Sequence, residues 1–327
     1  MKTRFLVVGG GLSGLLMGME LSKQSEDYII IEKNGSSPEA KLHYLHDDLT
    51  DYLPFPLRKI DIVTNVFWNN KLYSQPTIDM MNYFSYTTLG KITQNSMKFI
   101  DGSIHKGWVP VEGIEKISRL VQEQNNKDPW SGIELIHLDL IKKVAKIKVI
   151  EDNGVLQDNE IEYQYLISTI PLPYMSKLAG IENLPEFKTE PIKMTEVKLN
   201  QDCFEDLYQI VYIPQAELGY ARFSILGNRV VAEKANGNFE ATEGANRIGL
   251  RKLIQLLLPN CDLNKVVYDD QVNWYGRYIP IKEKERLKII NILKDSDIYC
   301  LGRYAEWDYK RTDHIVREVR DIYGKLK

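Results

Sequence analysis

The chain has 327 residues, 43% hydrophobic and 27% charged, an ordinary globular usage that excludes a disordered, collagen-like or disulfide-stapled chain. Its 42 Lys and Arg against 45 Asp and Glu leave a net charge of -3, so bulk electrostatics draw it neither to nucleic acid nor to an acidic membrane surface. At about 150 residues per domain, the length predicts two domains. The three cysteines, Cys203, Cys261 and Cys300, stand far apart with no CxxC, a spacing that suggests neither a disulfide framework nor a zinc site and fits a reducing cytoplasm. Residues 1–21 superficially copy a signal peptide, but Gly9, Gly10, Gly11, Gly14 and Gly18 interrupt them and no A-x-A site follows. No run approaches the roughly 20 apolar residues of a membrane span.

The first elements read as a βαβ unit. Residues 5–8 are a short continuous apolar run, the form of a strand buried on both faces. Leu12, Leu15, Leu16 and Met19 recur at helical spacing up to about Ser22, and residues 28–31 give a second buried strand. Pro54 and Pro56 break the pattern; residues 59–73 then predict a hairpin about Asn69 and Asn70, and residues 78–97 a helical stretch. Ile114, Ile117, Leu120 and Val121 mark another helix, followed by strands at 134–138, 144–150 and 165–170, the last stopped by Pro171 and Pro173. From 192 to 233 strands joined by tight turns, notably Gly227-Asn228, predict an antiparallel sheet. Helices at 246–258 and 283–293 lead to a buried strand at 298–301 and a terminal helix from about Asp313. Parallel-sheet character at the two ends and antiparallel character between them predict one nucleotide-binding domain built from separated segments, with a substrate domain inserted.

Gly9-Gly10-Gly11-Leu12-Ser13-Gly14 is G-x-G-x-x-G in its confirming context: it follows a strand, opens a helix, and precedes an acidic residue, Glu32, at the end of the next strand. Gly9 permits the tight turn, Gly11 lets backbone approach a pyrophosphate, and Gly14 permits close packing of helix on strand. The helix amino end offers free N–H groups and partial positive charge, while Glu32 would accept hydrogen bonds from ribose hydroxyls. The alternative is a plain turn beside a surface carboxylate. The motif serves NAD and FAD alike, since both carry the same ADP half.

The carboxyl-terminal segment separates the two. Gly302-Arg303, Ala305-Glu306, Tyr309 and Asp313, with Tyr304 and Trp307 as aromatic variants, make the chain resemble the flavoproteins of the amine oxidase, protoporphyrinogen oxidase and UDP-galactopyranose mutase group. Other segments extend the resemblance: Glu32-Lys33, the strand holding Val144, the strand ending at Thr169, residues 212–222, and residues 274–280. It implies FAD as cofactor, held by Gly9, Gly11, Leu12, Ser13, Gly14, Glu32, Lys33, Val144, Thr169, Gly302, Arg303, Arg311, Thr312 and Asp313. Arg303 would touch the phosphate or ribityl region. The helix amino end at 311–313 would face the flavin pyrimidine edge, where partial positive charge favours the anionic reduced ring.

With that resemblance the fold class is α/β: a Rossmann-like FAD-binding domain of the glutathione-reductase type, residues 1–50, 100–185 and 285–327. An α+β substrate domain with an antiparallel sheet occupies 51–99 and 186–284. Flavin chemistry needs no conspicuous triad, and the catalytic candidates are His43, His46, Arg222 and Tyr278. Arg222, Trp274, Arg277, Tyr278, Tyr304 and Trp307 are the substrate candidates, Arg to clamp a carboxylate or phosphate and the aromatics to stack. Exposed arginines and a core aromatic cluster are the bland alternative. Cys300 reads as a small core residue rather than a flavin attachment point, and no metal set is complete. Three functions remain open: an amine oxidase-like FAD oxidoreductase transferring hydride from a small substrate such as an amine to flavin N5, a UDP-galactopyranose mutase-like isomerase acting on a nucleotide sugar, and a non-catalytic flavin- or NAD-binding protein. Oligomeric state is not legible.

Overall fold

The computed structural model describes residues 1–34, 44–87, 100–101, 103–113, 116–150, 156–200, 204–215, 218–235, 243–263 and 266–327. The chain opens as β1 (Lys2–Val8), α1 (Leu12–Lys23) and β2 (Tyr28–Glu32), then crosses to the hairpin β3 (Leu57–Trp68) and β4 (Lys71–Tyr73) and to α2 (Ile78–Thr87). β5 (Ile104–Pro110), α3 (Ile117–Gln122), β6 (Trp130–Ser131), β7 (Ile133–Asp139), β8 (Val144–Ile150), β9 (Leu156–Ser168) and α4 (Leu172–Leu178) follow. Next come β10 (Thr189–Lys198), β11 (Phe204–Tyr212), β12 (Arg222–Gly227), β13 (Arg229–Ala235), α5 (Glu243–Leu257) and β14 (Val267–Tyr278). The chain closes with α6 (Glu283–Lys294), β15 (Ile298–Cys300) and α7 (Thr312–Leu326).

Among the described residues the strands form two sheets. In the first, β1 lies between β2 and β9, all parallel; β15 continues the parallel layer beside the end of β9, and β6 lies beside the end of β2. The first half of β9 pairs antiparallel with β8, and β8 with β7, so a three-stranded meander feeds the layer. The apolar run of β1 is buried on both faces. Phe5 and Val7 join a core with Leu16, Val121 and Val319 from α1, α3 and α7. Leu6 and Val8 join another with Leu172, Met175 and Leu293 from α4 and α6. Each fully buried side chain of this size contributes about 1.5–3 kcal/mol, which explains why the run shows no polar alternation.

The second sheet has the order β14-β10-β13-β12-β11-β3-β4, with β5 on β3; its neighbours are antiparallel except β11 and β3. One face, with Tyr208, Ile210, Leu226 and Val231, packs toward the α7 side of the first sheet. The other face, with Phe223, Ile225, Val230 and Ala232, is covered by Leu250, Leu253 and Ile254 of α5. Arg317 of α7 bonds Asp47 at 2.7 Å, and Leu45 pairs with Trp108 of β5, so residues 44–53 tie the two layers together.

Several expectations are corrected. Ile104–Pro110 falls in the 100–185 segment given above to the nucleotide domain, yet it pairs with β3 in the second sheet. Residues 171–173 do more than stop a strand: Pro171 caps α4 and Pro173 sits in its first turn, where a missing N–H costs nothing. β14 is a twelve-residue strand whose polar start, Tyr268-Asp269-Asp270-Gln271, hides the pattern. Cys300 is free and buried, but Cys261 is disulfide-bonded, which removes the argument for a reducing compartment; Cys203 lies outside the described residues. Among the described residues no helix is long and apolar enough to cross a membrane.

Phe5 is fully buried between β1's neighbours, stacked on Tyr165 at 5.5 Å. Phe5→Ala is expected to lower unfolding stability by about 3–5 kcal/mol, measured by denaturant titration at unchanged m-value.

Candidate functional site

The carboxyl ends of β1, β9 and β15 meet at one point, the usual place for a ligand in an open parallel sheet. β1 leaves through Gly9, whose φ of +105° favours glycine and whose Cβ, if present, would overlap the Thr169 hydroxyl. That hydroxyl lies 3.0 Å from the Val8 carbonyl and 3.1 Å from the Gly9 carbonyl, and the Gly9 amide donates to Ile31 at 2.9 Å. A side chain at Gly14 would overlap the Gly9 carbonyl oxygen, so turn and helix touch backbone to backbone. Gly11 differs: nothing lies within 4 Å of where its Cβ would be, and it caps α1 with no side-chain hydrogen bond. The first-turn amides of α1 therefore face an open cradle whose one wall is the Gly11 backbone. This arrangement can take a diphosphate.

Glu32 stands beside the cradle. Its Oε2 accepts from the Gly10 amide at 2.6 Å and its Oε1 from Asn34 at 3.0 Å, which fixes the carboxylate at the mouth of the turn. Lys33 turns outward instead, to Glu134 at 2.7 Å, and that partner raises its pKa. The strand running beside Glu32 is β6, with Trp130 opposite Ile31 and Ser131 opposite Glu32. Val144 lies elsewhere. It is level with Glu162 and Lys2, six residues from Val8 and so about 20 Å down the sheet. The segment beside the end of β2 is β6, which precedes the meander, and not β8.

From the other end of the chain, Gly302 packs on the phosphate turn. Its φ is +100°, and a Cβ there would come 2.5 Å from the Ser13 hydroxyl. Arg303 follows, its guanidinium carbon 5.4 Å from the Tyr278 ring, 5.9 Å from Tyr304 and 5.0 Å from Tyr309. Its Nε is buried with no hydrogen-bond partner. Burial pushes the Tyr278 hydroxyl up to about 12, against the pull of Arg303. Trp307 is 1% exposed, its indole donates to the Ile279 carbonyl at 3.0 Å, and Phe187 and Tyr278 pack its faces. It is core, not a substrate surface. Tyr304 and Tyr278 belong to the same cluster, as does the buried Cys300, whose thiol is pushed up to about 12 by burial.

A second group of side chains lines the opposite wall, on the face of the second sheet that packs toward α7. Strand register puts Tyr212, Arg222, Glu233 and Met194 in one row across β11, β12, β13 and β10. Arg222 and Glu233 form an ion pair, and although burial opposes its charge, Glu233 and the Tyr212 and Tyr208 phenols hold Arg222 charged well above its usual range. Tyr44 packs edge-on to Tyr208 at 5.1 Å; its hydroxyl is pushed up to about 12 by burial, and Arg222 and Arg311 draw it down. Tyr309, 63% exposed, lies with its ring 5.0 Å from the Arg303 guanidinium carbon.

The amino end of α7 lies in this region. Asp313 is fully buried in the first turn, 3.1 Å from Arg311 and 3.7 Å from His314, with neither oxygen in a well-aligned hydrogen bond. The helix end thus carries a carboxylate and a guanidinium together, and the positive field expected there is shared with Asp313. Sequence reasoning missed Glu233 and Tyr44. The tight turn at Gly227-Asn228 already implies that Arg222 faces Glu233, whereas nothing local marks Tyr44. His43 lies outside the described residues. Trp274 and Arg277 lie in β14, and their side chains are outside the described residues too.

No family model matches the chain, and no curated protein matches it in sequence. Solved structures do. A reduced UDP-galactopyranose mutase superposes with a TM-score of 0.65 at 13% identity, covering 99% of this chain and 94% of its own. Putrescine oxidase gives 0.61 at 11%, covering 100% and 99%. An aklavinone-11 hydroxylase bound to FAD and aklavinone gives 0.60 at 14%, covering 99% and 62%. The chain shares their fold. It has the mixed α/β architecture of these flavoproteins, and the expected resemblance to the mutase and amine oxidase group holds at the level of structure.

His46 sits beside this site, with its ring 4.5 Å from Tyr44. Burial lowers its pKa, Arg311 lowers it further, and Asp313 and Asp47 oppose them. The fold therefore favours neutral His46. That contribution to stability is present above the unfolded value of about 6.5 and is lost as pH falls through the lowered folded value. Urea midpoints taken from about pH 7 to about pH 5 should fall more steeply for the wild type than for His46→Gln; parallel curves would assign the loss to another group.

Proposed function

We propose that this protein is an FAD-dependent enzyme of the amine oxidase-like type, oxidising a small substrate such as an amine. The observation that carries this reading is the open cradle at Gly11, where three strand ends and the Gly302 turn converge on a helix amino end. The residues present fit FAD. Gly11 leaves diphosphate space, Glu32 is fixed where a ribose would lie, and Arg303 and Arg311 each keep a buried Nε without a partner. Gly9, Leu12, Ser13, Gly14, Thr169 and Gly302 would shape the diphosphate seat, and Thr312 and Asp313 would bound its far end. The parallel layer fed by an antiparallel meander supports a Rossmann-like domain of the glutathione-reductase type, with the second sheet as the inserted substrate domain.

Bound FAD would supply the two-electron chemistry. The protein's own residues do the rest. Tyr278, Tyr304 and Tyr309 surround the Arg303 guanidinium with an aromatic wall. Opposite them, Tyr44 and Tyr212 offer stacking surface and hydroxyls that stay protonated at neutral pH in the case of Tyr44. Because Glu233 already pairs Arg222, that side chain orients a polar group more readily than it clamps a free anion. A second reading, a flavin-dependent isomerase acting on a nucleotide sugar, is supported by the likeness to the mutase over 94% of that chain.

Anaerobic absorption spectra separate the two. The purified protein is expected to be yellow and to bleach on addition of a candidate amine. Turnover of a nucleotide sugar only after reduction would favour the isomerase, and a colourless protein that takes up no flavin would sink both. Gly11→Val should fold with near wild-type stability because its side chain enters open space, yet lose flavin, whereas Gly14→Ala should destabilise the fold itself through backbone overlap. Flavin content and thermal melting, measured on both variants, check the contrast.

A further inference from the structure

On the face of the second sheet that packs toward α7, one cation and one carboxylate stand side by side. β12 and β13 pair antiparallel with Arg222 directly opposite Glu233, and the neighbouring strands place Tyr212 and Met194 at the two ends of that row. The guanidinium gives Glu233 a single hydrogen bond, from Nη2 to Oε1, although its fork has the geometry for two. Among the described residues, Nη1 of Arg222 and Oε2 of Glu233 bond nothing, and neither atom is sealed from solvent. The two side chains are 35% and 18% exposed. Burial nevertheless opposes the charge of Arg222, so the exposed part of the pair lines a crevice and not a convex surface. One free donor and one free acceptor thus flank the ion-pair contact and face the same space.

Such a pair is neutral as a whole and bipolar in detail. A ligand carboxylate brought to Nη1 would put two carboxylates around one guanidinium, and a ligand ammonium brought to Oε2 would put two cations around one carboxylate. Either leaves an unbalanced charge away from bulk water. A neutral group that accepts from Nη1 and donates to Oε2 satisfies both atoms and adds no charge. A primary carboxamide does this with its oxygen and nitrogen, a hydroxyl with its one oxygen. We propose that Glu233 is a specificity-determining residue of the candidate active site, holding Arg222 in a neutral pair so that this wall recognises a neutral amide or hydroxyl of the substrate and rejects a carboxylate, a phosphate or a second ammonium. The inference rests on the oxidase reading above: the amine is the reacting end of the substrate, and the neutral group is its second handle. Tyr212 beside Arg222 and Met194 beside Glu233 give the row apolar surface on either side of the pair. Removing one charge of the pair leaves the other to choose the ligand, so the preference of the wall should reverse in a direction set by which partner is lost.

Isothermal titration calorimetry of the purified protein, with whatever flavin it carries, against benzamide, benzoate and benzamidine tests the pair. The three probes share one planar shape and at neutral pH are uncharged, anionic and cationic in turn. The wild type is expected to bind benzamide at least about tenfold more tightly than either ion. Glu233→Gln should move first place to benzoate, and Arg222→Met should move it to benzamidine. The double variant Arg222→Gln with Glu233→Gln carries neither charge and should keep benzamide first, which preserves the test if a single variant melts too low to titrate. Tighter binding of benzyl alcohol than of benzamide supports the wall and assigns it to a hydroxyl. The same order of probes in wild type and Glu233→Gln, a wild type or double variant that prefers an ion, or no binding of any probe overturns the proposal. The expected switch in a protein that takes up no flavin upholds the recognition and overturns the oxidase reading; a yellow protein bleached by amines, without the switch, does the reverse.

Discussion

The structure depends on backbone meeting backbone where three parallel strands end. At Gly14 and Gly9 the helix and the turn before it approach too closely for any side chain, and at Gly302 the last strand's turn is pressed on Ser13 in the same way. These contacts bring residues nearly 300 positions apart to a single seat. Because no side chain fills it, the amides at the start of α1 and the wall of Gly11 are left facing open space. A seat of this kind is costly to maintain unless its polar groups have a use, and the buried Arg303 and Arg311 nitrogens around it are unpartnered in the protein alone.

The two cores that hold this arrangement follow from β1. Its alternate residues supply both, so the first sheet is a wall with helices on each side, and the second sheet docks along one of them. Residues 44–53 act as a strap, tied to α7 by Arg317 and Asp47 and to β5 by Leu45 and Trp108. That strap brings Tyr44 and His46 over the start of α7, opposite the aromatic group that surrounds Arg303. The space between these walls is therefore bounded by phenols, by the paired Arg222 and Glu233, and by Arg303 and Arg311 near the buried Asp313.

Charge on the second sheet is sorted by strand alternation. Glu233 faces the candidate active site and neutralises Arg222, while its neighbour Lys234 faces α5 and meets Lys193. One strand thus contributes the carboxylate of an ion pair to one face and, among the described residues, a cation without an ion pair to the other.

Local signals were enough for the βαβ unit, the glycine loop with Glu32, the hairpin at Asn69-Asn70 and the terminal helix, because each is set by period, turn chemistry or a cap within a few residues. The tight turn at Gly227-Asn228 contained the Arg222 and Glu233 pairing as well. What the sequence could not show depended on contacts between distant segments. Trp307 looks like a stacking surface until its indole is seen bonded to Ile279, and Val144 looks close to the cofactor until the meander's reversal carries it to the far end of the sheet. Likewise, Ile104–Pro110 joins the second sheet only because β3 offers it an edge. A chain's local pattern specifies which residues must be buried or must turn; which wall each buried residue faces is decided when remote strands choose their neighbours.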